Sequence, residues 1–208
     1  MGFKHLFFPE VKSFPDSKIN KNIKLLRYVT GDTLIVDGLI ESGSIMRHIW
    51  HVGIKKLLPK NYSPEKVLLL GLAGGSNVKL INDLYPSAEI TGVEIDKTMI
   101  EIGFKYFRLA KRKNLQIVTQ DALDFVNELT DEHYGLVLVD CFVGQEIPKK
   151  LESLEFFKKL KDHSDFTLIN RLWHRKYRPV SQRFINSLAS QFKFVSVFTG
   201  TNLVISLI

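Results

Sequence analysis

Apolar and polar positions follow two different periods along the chain, and these mark where strands and helices are expected. Val67 to Leu70 form an unbroken apolar run, which is typical of a central parallel strand that is buried on both faces. From Ser44 to Leu58 the apolar residues return at mostly helical spacing, and Pro59 ends the run. The pattern therefore predicts a helix that leads into a buried strand.

After residue 70, strand and helix patterns alternate regularly. The predicted order is helix 75–84, strand 89–93, helix 97–109, strand 115–118, helix 122–129, strand 136–140, helix 151–161, strand 166–169 and helix 179–191. Such alternation is typical of right-handed βαβ crossovers on a parallel sheet. Residues 194–198 and 203–207 are joined by a connection too short for a crossover helix, so these two strands are expected to pair antiparallel.

The expected fold class is α/β, a doubly wound and mostly parallel seven-stranded Rossmann-like sheet with a C-terminal antiparallel hairpin. Such a hairpin is typical of methyltransferase-type folds rather than of nicotinamide dehydrogenases. Residues 24–29 and 33–36 flank a glycine turn and predict a small N-terminal β-hairpin. The expected domains are residues 1–60, an irregular arm with this hairpin and the lead-in helix, and residues 61–208, the Rossmann-like nucleoside-binding catalytic domain.

Composition narrows the class of protein. The chain has 208 residues, of which 45% are hydrophobic, enough for one substantial core. Its single cysteine, Cys141, excludes an internal disulfide framework, and no Cys/His cluster has zinc-site spacing, so no metal is expected. No apolar run approaches the roughly 18 to 20 residues that cross a bilayer, and no signal peptide is apparent. The sequence therefore predicts a cytoplasmic protein with no membrane partner.

The formal net charge of +7 favours encounter with anionic partners. The basic residues form short groups, Lys111 to Lys113 and Arg171 to Arg178, and the second group interleaves cations with aromatic residues. Such a group suits nucleic-acid binding. Solvated loops and helix faces are the ordinary alternative, so charge alone does not choose the partner.

A glycine-rich turn, Gly71-Leu72-Ala73-Gly74-Gly75-Ser76, lies between the first buried strand and a helix. Missing side chains let a backbone approach a ligand, and the following helix N-terminus presents free N–H donors. Gly71, Ala73, Gly74 and Gly75 are therefore candidate cofactor-binding residues. A tight structural turn is the alternative.

Acidic residues follow the next strands at their carboxyl ends. In doubly wound folds an acid at the tip of the second strand accepts hydrogen bonds from ribose hydroxyls, and Glu94, followed by Ile95, has that position. Asp96 is better placed than Glu94 to cap the next helix. After the third strand, Asp121 and Ala122 are candidates to contact an adenine, although Asp121 is also a candidate helix N-cap.

Asp140 ends the fourth strand and is expected to point toward the reacting end of a ligand in the crevice. A carboxylate there holds an amine or a sulfonium, or acts as a base. Cys141 beside it is interpreted as a small apolar filler rather than a nucleophile.

At these residues the chain resembles the spermidine synthase (polyamine aminopropyltransferase) family, especially its synthase-like members. The matching segments are VLLLGLAGGS, TGVEID, TQDALDF and LVDCFVGQEIPKKLESLEFFKKL, within residues 33–160. The resemblance implies a class I methyltransferase-like fold that binds S-adenosylmethionine or decarboxylated S-adenosylmethionine, with S-adenosylhomocysteine or methylthioadenosine as product. It implies Gly71 and Gly75 at the nucleoside, Glu94 on the ribose, Asp121 on the adenine and Asp140 at the transferred group.

The chain departs from this family at the acceptor site. The family has two acids in the last loop, spaced D-x-x-D, and Val143 occupies the second position here. Glu146 is the candidate substitute, which makes Asp140 and Glu146 the candidate catalytic residues. Upstream, the resemblance implies that Glu41 and Ser42 take the place of a substrate-facing Gln-Ser pair of the synthase-like members, and Arg47 would repel a polyamine.

The expected activity is transfer of a methyl or aminopropyl group to a small-molecule acceptor, catalysed mainly by alignment of the reactants. His48 and His174 are further candidates for proton removal. Two alternatives stay open: an RNA methyltransferase, and a non-catalytic nucleoside-binding or assembly module that has lost its acceptor site. The oligomeric state is also open, with a homodimer as one option.

Overall fold

The computed structural model describes residues 8–111 and 114–208, with the side chain of Lys111 left out. The first seven residues of the predicted arm and most of the basic group at 111–113 lie outside this description.

A small antiparallel sheet precedes the main fold. Its strands, in spatial as well as chain order, are β1 (Glu10–Ser13), β2 (Lys24–Tyr28), β3 (Gly31–Val36) and β4 (Leu39–Ser42). The predicted hairpin is confirmed as β2 and β3. The prediction of an irregular arm is wrong at β1, and β4 is a strand that the sequence analysis missed. All four residues of β1 are exposed, so no alternation of apolar and polar residues marks it.

The main fold is a seven-stranded sheet with helices on both faces. Its elements are α1 (Ser44–Leu57), β5 (Lys66–Leu70), α2 (Ser76–Leu84), β6 (Glu89–Glu94), α3 (Lys97–Tyr106), β7 (Leu115–Thr119), α4 (Ala122–Glu128), β8 (Tyr134–Val139), α5 (Leu154–Asp162), β9 (Ser164–Leu172), α6 (Tyr177–Leu188), β10 (Phe194–Phe198) and β11 (Asn202–Leu207). Short 3-10 turns at Leu109–Lys111 and Lys149–Glu152 precede β7 and α5.

The strand order is β10-β11-β9-β8-β5-β6-β7. Strands β5 to β9 pair in parallel, whereas β11 pairs antiparallel with both β9 and β10. The predicted seven-stranded, doubly wound class is therefore confirmed, including its C-terminal hairpin. Several boundaries differ: α3 ends at Tyr106 rather than at residue 109, and α6 spans Tyr177–Leu188 rather than 179–191. Helix α5 begins at Leu154 rather than at residue 151, because Ser153 caps it by accepting a hydrogen bond from Phe156 N at 3.2 Å.

The core has one apolar layer on each face of the main sheet. Helix α1 belongs to one of these layers, where Ile49, Trp50 and Ile54 pack with residues of α2 and β5. The domain division at residue 60 remains a prediction, but α1 itself contributes to the core of the main sheet.

The small sheet packs on α3 through a separate apolar cluster. Leu25, Leu34 and Val36 of the sheet contact Met99 and Ile102 of the helix. This packing places the end of β4 beside the carboxyl ends of the central strands, where the candidate site lies. Among the helices of the described residues, none has the length and apolar character needed to cross a membrane.

Candidate functional site

A cleft lies at the carboxyl edge of the main sheet, where β5 is flanked by β6 on one side and by β8 on the other. This is the topological switch point at which open α/β sheets bind ligands. The predicted residues that line the cleft are Gly71, Ala73, Glu94, Ile95, Asp121, Ala122 and Asp140. The crevice is therefore formed by residues that follow four different strands.

Gly71 is required where the turns after β5 and β8 meet. Its φ is +84°, and a Cβ atom there would lie 2.2 Å from the backbone oxygen of Asp140. No side chain fits this approach, so Gly71 brings the loop that carries Asp140 against the glycine turn.

Gly74 and Gly75 serve protein packing instead of facing the cleft. A Cβ atom at Gly74 would lie 2.9 Å from the ring of Phe107, and one at Gly75 would lie 2.4 Å from the Leu109 side chain. These two glycines were expected beside a cofactor. The structure places neighbouring side chains there, so of the four candidates in the turn only Gly71 and Ala73 line the cleft.

Glu94 holds the glycine turn in place. Its Oε2 accepts hydrogen bonds from the backbone N–H groups of Leu72, at 3.1 Å, and Ala73, at 2.8 Å, and its Oε1 accepts one from Asp96 N at 2.9 Å. Burial raises the pKa of the Glu94 carboxyl, and the backbone donors oppose this rise. Since a carboxylate has about four lone-pair sites, one remains for a ligand.

Asp96 caps α3, as the sequence analysis expected. Its side chain accepts from Thr98 N at 2.9 Å. Its other oxygen accepts from Ser17 Oγ at 2.5 Å and from Asn20 Nδ2 at 2.8 Å. Asp96 therefore also ties the N-terminal segment to the main fold, and Asn20 becomes part of the cleft wall.

Asp121 has a position that suits both of its predicted roles, the helix cap and the adenine contact. The structure shows the cap as a hydrogen bond. Asp121 caps α4 by accepting from Leu123 N at 2.9 Å, and its Oδ2 pairs with Lys150 Nζ at 2.6 Å. The residue also lines the cleft. Its contact with an adenine stays a prediction.

Asp140 is held by three uncharged donors from three elements. Trp50 Nε1 of α1 donates at 2.9 Å, Asn170 Nδ2 of β9 at 2.8 Å and Asn77 Nδ2 of α2 at 3.4 Å. Burial raises the pKa of the Asp140 carboxyl, while these three hydrogen bonds lower it. Because none of the donors is a cation, the orientation of the carboxylate is fixed without a compensating positive charge.

Trp50, Asn77 and Asn170 are the site residues that sequence reasoning missed. They lie 90, 63 and 30 residues from Asp140 in the chain. Trp50 and Asn170 are almost fully buried, so their patterns are those of ordinary core positions. No local signal distinguishes them.

A second cavity opens from the cleft. Glu41, Asp140 and Phe142 line both. The remaining wall is mainly apolar and includes Leu39, Ile40, Ile45, Met46, Ile49 and Leu172. An apolar channel with carboxylates at its inner end suits an alkyl chain that carries a positive charge.

Glu41 projects from β4 beside the acids of the main sheet. The pKa of its carboxyl is raised well above the usual range, first by burial and then by the charges of Asp140 and Glu94. Its neighbour Ser42 is fully buried, and Ser42 Oγ accepts from Gly74 N at 2.9 Å. Of the two residues, Glu41 therefore faces the cavities while Ser42 has a structural role.

Three of the four remaining candidate residues lie outside both cavities. Glu146, expected as a catalytic partner of Asp140, is exposed and lines grooves outside the cleft. His48 is exposed and lines neither cavity. Arg47 borders a groove beside the small sheet, so the expected repulsion of an amine at the site does not arise from it. His174 alone of these lines the second cavity.

The loop after β8 is held on both sides by Gln145. Its Nε2 donates to the backbone oxygen of Asp37 at 2.7 Å, and its Oε1 accepts from Lys176 Nζ at 2.9 Å and Tyr177 Oη at 2.7 Å. The loop that carries Phe142 is therefore bonded to the small sheet and to the start of α6.

The basic and aromatic group at 171–178 is partly used inside the protein. Arg171 is buried, pairs with Glu152 at 2.6 Å and lies 4.3 Å from the centre of the Phe184 ring. Arg178 lies 5.3 Å from the centre of the Trp173 ring. These contacts reduce what the segment offers to a nucleic acid.

Two further features concern metal-ligating side chains and the thiol of Cys141 in the part of the chain that the structure describes. No group of three metal-ligating side chains occurs there. Burial, followed by the charges of Glu94, Asp140 and Asp121, raises the pKa of the Cys141 thiol well above its ordinary value. Cys141 therefore stays protonated, as expected of a filler.

A sheet of this order, with acids at its carboxyl edge around a glycine turn, defines a class I methyltransferase-like α/β protein. Residues 44–165 match the model of the spermine/spermidine synthase domain. The chain belongs to that family.

Known proteins agree with this assignment. Polyamine aminopropyltransferase of Vibrio vulnificus is 34% identical over 103 residues, which cover 49% of this chain and 34% of that protein. The eEF1A lysine and N-terminal methyltransferase homolog of Drosophila melanogaster is 39% identical over 84 residues, 39% of this chain and 12% of that protein. The chain thus matches about a third or less of the length of these two relatives.

Among solved structures, a spermidine synthase in complex with the transition state analogue AdoDATO has a TM-score of 0.70 and 17% identity, over 94% of this chain and 72% of that one. At this level of identity the likeness concerns the fold. It extends across both the small sheet and the main sheet of the chain.

Proposed function

We propose that this protein is a transferase that moves an alkyl group from an S-adenosyl sulfonium to an aliphatic amine, with decarboxylated S-adenosylmethionine as its preferred cosubstrate. The nucleoside would lie in the cleft and the amine in the second cavity. Asp140 lies where the two meet and would orient the reacting groups.

This proposal depends on the observation that the backbone N–H groups of the glycine turn are already hydrogen-bonded within the protein. The N–H groups of Leu72 and Ala73 bond to Glu94, and that of Gly74 bonds to Ser42 Oγ. The N–H groups of residues 71 and 75 bond to backbone oxygens. A cosubstrate that carries an α-carboxylate therefore finds no free backbone donor along residues 71–75.

Charge in the cleft favours the same cosubstrate. None of the described residues lining the cleft is a lysine or arginine, whereas Glu41, Glu94, Asp121 and Asp140 all line it. An α-carboxylate finds no cationic side chain in this lining and would be repelled by each acid that is ionised, whereas an aminopropyl tail with only an ammonium would be attracted. This contrast supports decarboxylated S-adenosylmethionine over S-adenosylmethionine.

The nucleoside contacts are part of the proposal. The unused lone pair of Glu94 would accept from a ribose hydroxyl, and Asp121 with Ala122 would contact the adenine. Ile95 is 41% exposed and borders the same space, so it would cover one face of the base. The AdoDATO complex of a protein with this fold is consistent with a nucleoside in the cleft.

Methyl transfer to an amine of a protein is the second candidate. The Drosophila relative is described as a lysine and N-terminal methyltransferase homolog, and Val143 replaces the second loop acid that the resemblance to aminopropyltransferases implies. The same apolar cavity with acids at its end would admit a lysine side chain. The two candidates differ in the cosubstrate that they require.

Calorimetric titration with decarboxylated S-adenosylmethionine, S-adenosylmethionine and methylthioadenosine separates these functions. We expect the decarboxylated compound to bind at least about tenfold more tightly than S-adenosylmethionine, equivalent to about 1.4 kcal/mol. Preference for S-adenosylmethionine would favour methyl transfer, and absence of binding by all three would favour a non-catalytic module. Salt-dependent binding of RNA would revive the RNA methyltransferase.

A variant control guards against nonspecific binding of these compounds. Glu146→Gln removes an exposed acid outside the cleft and should leave all three affinities unchanged. The cytoplasmic location remains a prediction of the sequence, and the oligomeric state stays open, with a homodimer as one option.

A further inference from the structure

The acids of the cleft differ in how their oxygens are used. Glu94 and Asp140 each accept three hydrogen bonds, and Asp121 accepts two. Among the residues that the structure describes, no donor lies within hydrogen-bond distance of the Glu41 carboxyl. Within this group, Glu41 is therefore the acid whose two carboxyl oxygens are both left for a ligand by the residues that the structure describes.

Glu41 also has the position that contact with an acceptor requires. It lines both the cleft and the second cavity, together with Asp140 and Phe142. The strand that carries it is fixed next to the glycine turn by the hydrogen bond from Gly74 N to Ser42 Oγ, at 2.9 Å. A group entering through the second cavity meets Glu41 and Asp140 before it reaches the nucleoside.

We propose that Glu41 is the catalytic residue that accepts the proton of the acceptor amine, in partnership with Asp140, which orients that amine. This inference rests on the proposed function. It supplies from β4 the acid that the loop after β8 lacks at Val143, and it replaces Glu146, which lies outside the cleft.

The two acids are suited to different tasks. Three fixed donors hold Asp140, so it can orient a cation but not turn. Glu41 has no such donors among the described residues, so no hydrogen bond from the protein holds its carboxyl in the ionised form. Burial and the charges of Asp140 and Glu94 raise the pKa of Glu41, which brings its basicity closer to that of an amine.

The charged and titratable groups near Glu41 are those that line the cleft and the second cavity. The cleft presents Glu94, Asp121 and Cys141, and the second cavity presents His174. Asp140 lines both. The surroundings of Glu41 are thus predominantly acidic, and they favour its protonated form. Because an entering ammonium is a cation, it should lower the pKa of Glu41 and release the proton of Glu41 to solvent.

The proposed transfer step accounts for the proton, the electron pairs and the charge. The ammonium of the acceptor gives one proton to the ionised Glu41 carboxylate, and the nitrogen lone pair attacks the carbon bound to sulfur. A nitrogen–carbon bond forms while the carbon–sulfur bond breaks, with its electron pair left on sulfur. The sulfonium becomes the neutral thioether methylthioadenosine, and the product amine carries the positive charge.

Proton linkage in calorimetry tests this role without requiring turnover. Putrescine and n-butylamine would be titrated at pH 7 into protein saturated with methylthioadenosine, in two buffers of different ionisation enthalpy. We expect amine binding to release protons, and we expect Glu41→Gln to reduce that release by more than half. Glu146→Gln should leave it unchanged.

Turnover provides the second readout. With decarboxylated S-adenosylmethionine and putrescine, Glu41→Gln should lower the single-turnover rate by about 10²- to 10⁴-fold and abolish the rise of rate with pH that ionisation of Glu41 produces. Glu41→Asp should restore part of both. A Glu41→Gln variant with unchanged proton release, or with an unchanged rate and pH profile, would overturn the inference.

Failure of the inference and failure of the proposed function give different results. If methylthioadenosine does not bind the wild-type protein, the proposed function fails. If methylthioadenosine binds but neither amine binds or turns over, the nucleoside site stands and the acceptor part of the proposed function fails. If wild type binds and turns over the amine and Glu41→Gln behaves like wild type, the proposed function stands and the role of Glu41 is wrong.

Discussion

Replacing Glu94 with alanine would remove the acceptor of three backbone N–H groups at once. The groups belong to Leu72, Ala73 and Asp96, and the hydrogen bonds from Leu72 and Asp96 are buried. Each buried donor left without an acceptor costs about 1 to 3 kcal/mol. The N–H of Ala73 is only partly buried and lines the cleft, where water can bond to it. Leaving this donor without Glu94 therefore costs less free energy.

One effect opposes this destabilisation. Burial raises the pKa of Glu94, which means that its charged form is disfavoured in the folded protein and that removing it relieves part of that cost. The net loss expected for Glu94→Ala is about 2 to 4 kcal/mol in the free energy of unfolding. For a chain of this size that corresponds to a fall of roughly 4 to 16 °C in Tm.

Urea and thermal unfolding at pH 7, followed by tryptophan fluorescence, would measure this loss. The matched control is Glu101→Ala, which removes an exposed acid of α3 and should change stability by less than about 0.5 kcal/mol. Methylthioadenosine affinity should fall in Glu94→Ala and stay constant in Glu101→Ala. Equal unfolding midpoints for the two variants would refute the conclusion that Glu94 holds the glycine turn.

Three further outcomes follow from the structure. Because the folded-state pKa of Glu41 is raised, wild type should lose stability relative to Glu41→Gln as pH rises above about 4.3, the unfolded value; thermal melts at pH 5 and pH 8 should show the larger advantage of the variant at pH 8. Gly71→Ala, with a Cβ 2.2 Å from a backbone oxygen, should destabilise far more than Gly200→Ala, where φ is +97° but nothing lies within 4 Å; urea titrations of both would show a reversed order if the close approach is absent. Tyr177→Phe removes the 2.7 Å hydrogen bond to Gln145 and should cost about 0.5 to 1.5 kcal/mol, with faster amide hydrogen exchange in the loop after β8; unchanged exchange would show that this bond does not hold the loop.

The main sheet could be predicted because its signals are local. Apolar runs such as Val67 to Leu70 mark strands that are buried on both faces, and the short connection between β10 and β11 leaves antiparallel pairing as the geometric solution. The strands β1 and β4 escaped prediction for the opposite reason. They are short, and β1 is fully exposed, so neither carries an apolar alternation long enough to detect.

The candidate site was predicted in its location and only partly in its membership. Acids at the carboxyl ends of parallel strands must gather at one edge, and Glu94, Asp121 and Asp140 do so. Glycine in a turn is ambiguous, because a missing side chain admits a ligand or a neighbouring side chain equally well. Only tertiary packing shows that Phe107 and Leu109 fill the space beside Gly74 and Gly75.

The sequence by itself determined the order of strands and helices in the main fold, the glycine turn and the edge of the sheet at which acids collect, because each depends on residues that are neighbours in the chain. The tertiary structure alone decided which side chains meet there. Glu41 of β4, Trp50 of α1 and Asn170 of β9 converge on Asp140 from distant parts of the chain, whereas Glu146, only six positions away, points elsewhere. The direction of a side chain depends on how elements pack, and packing is not encoded in local spacing.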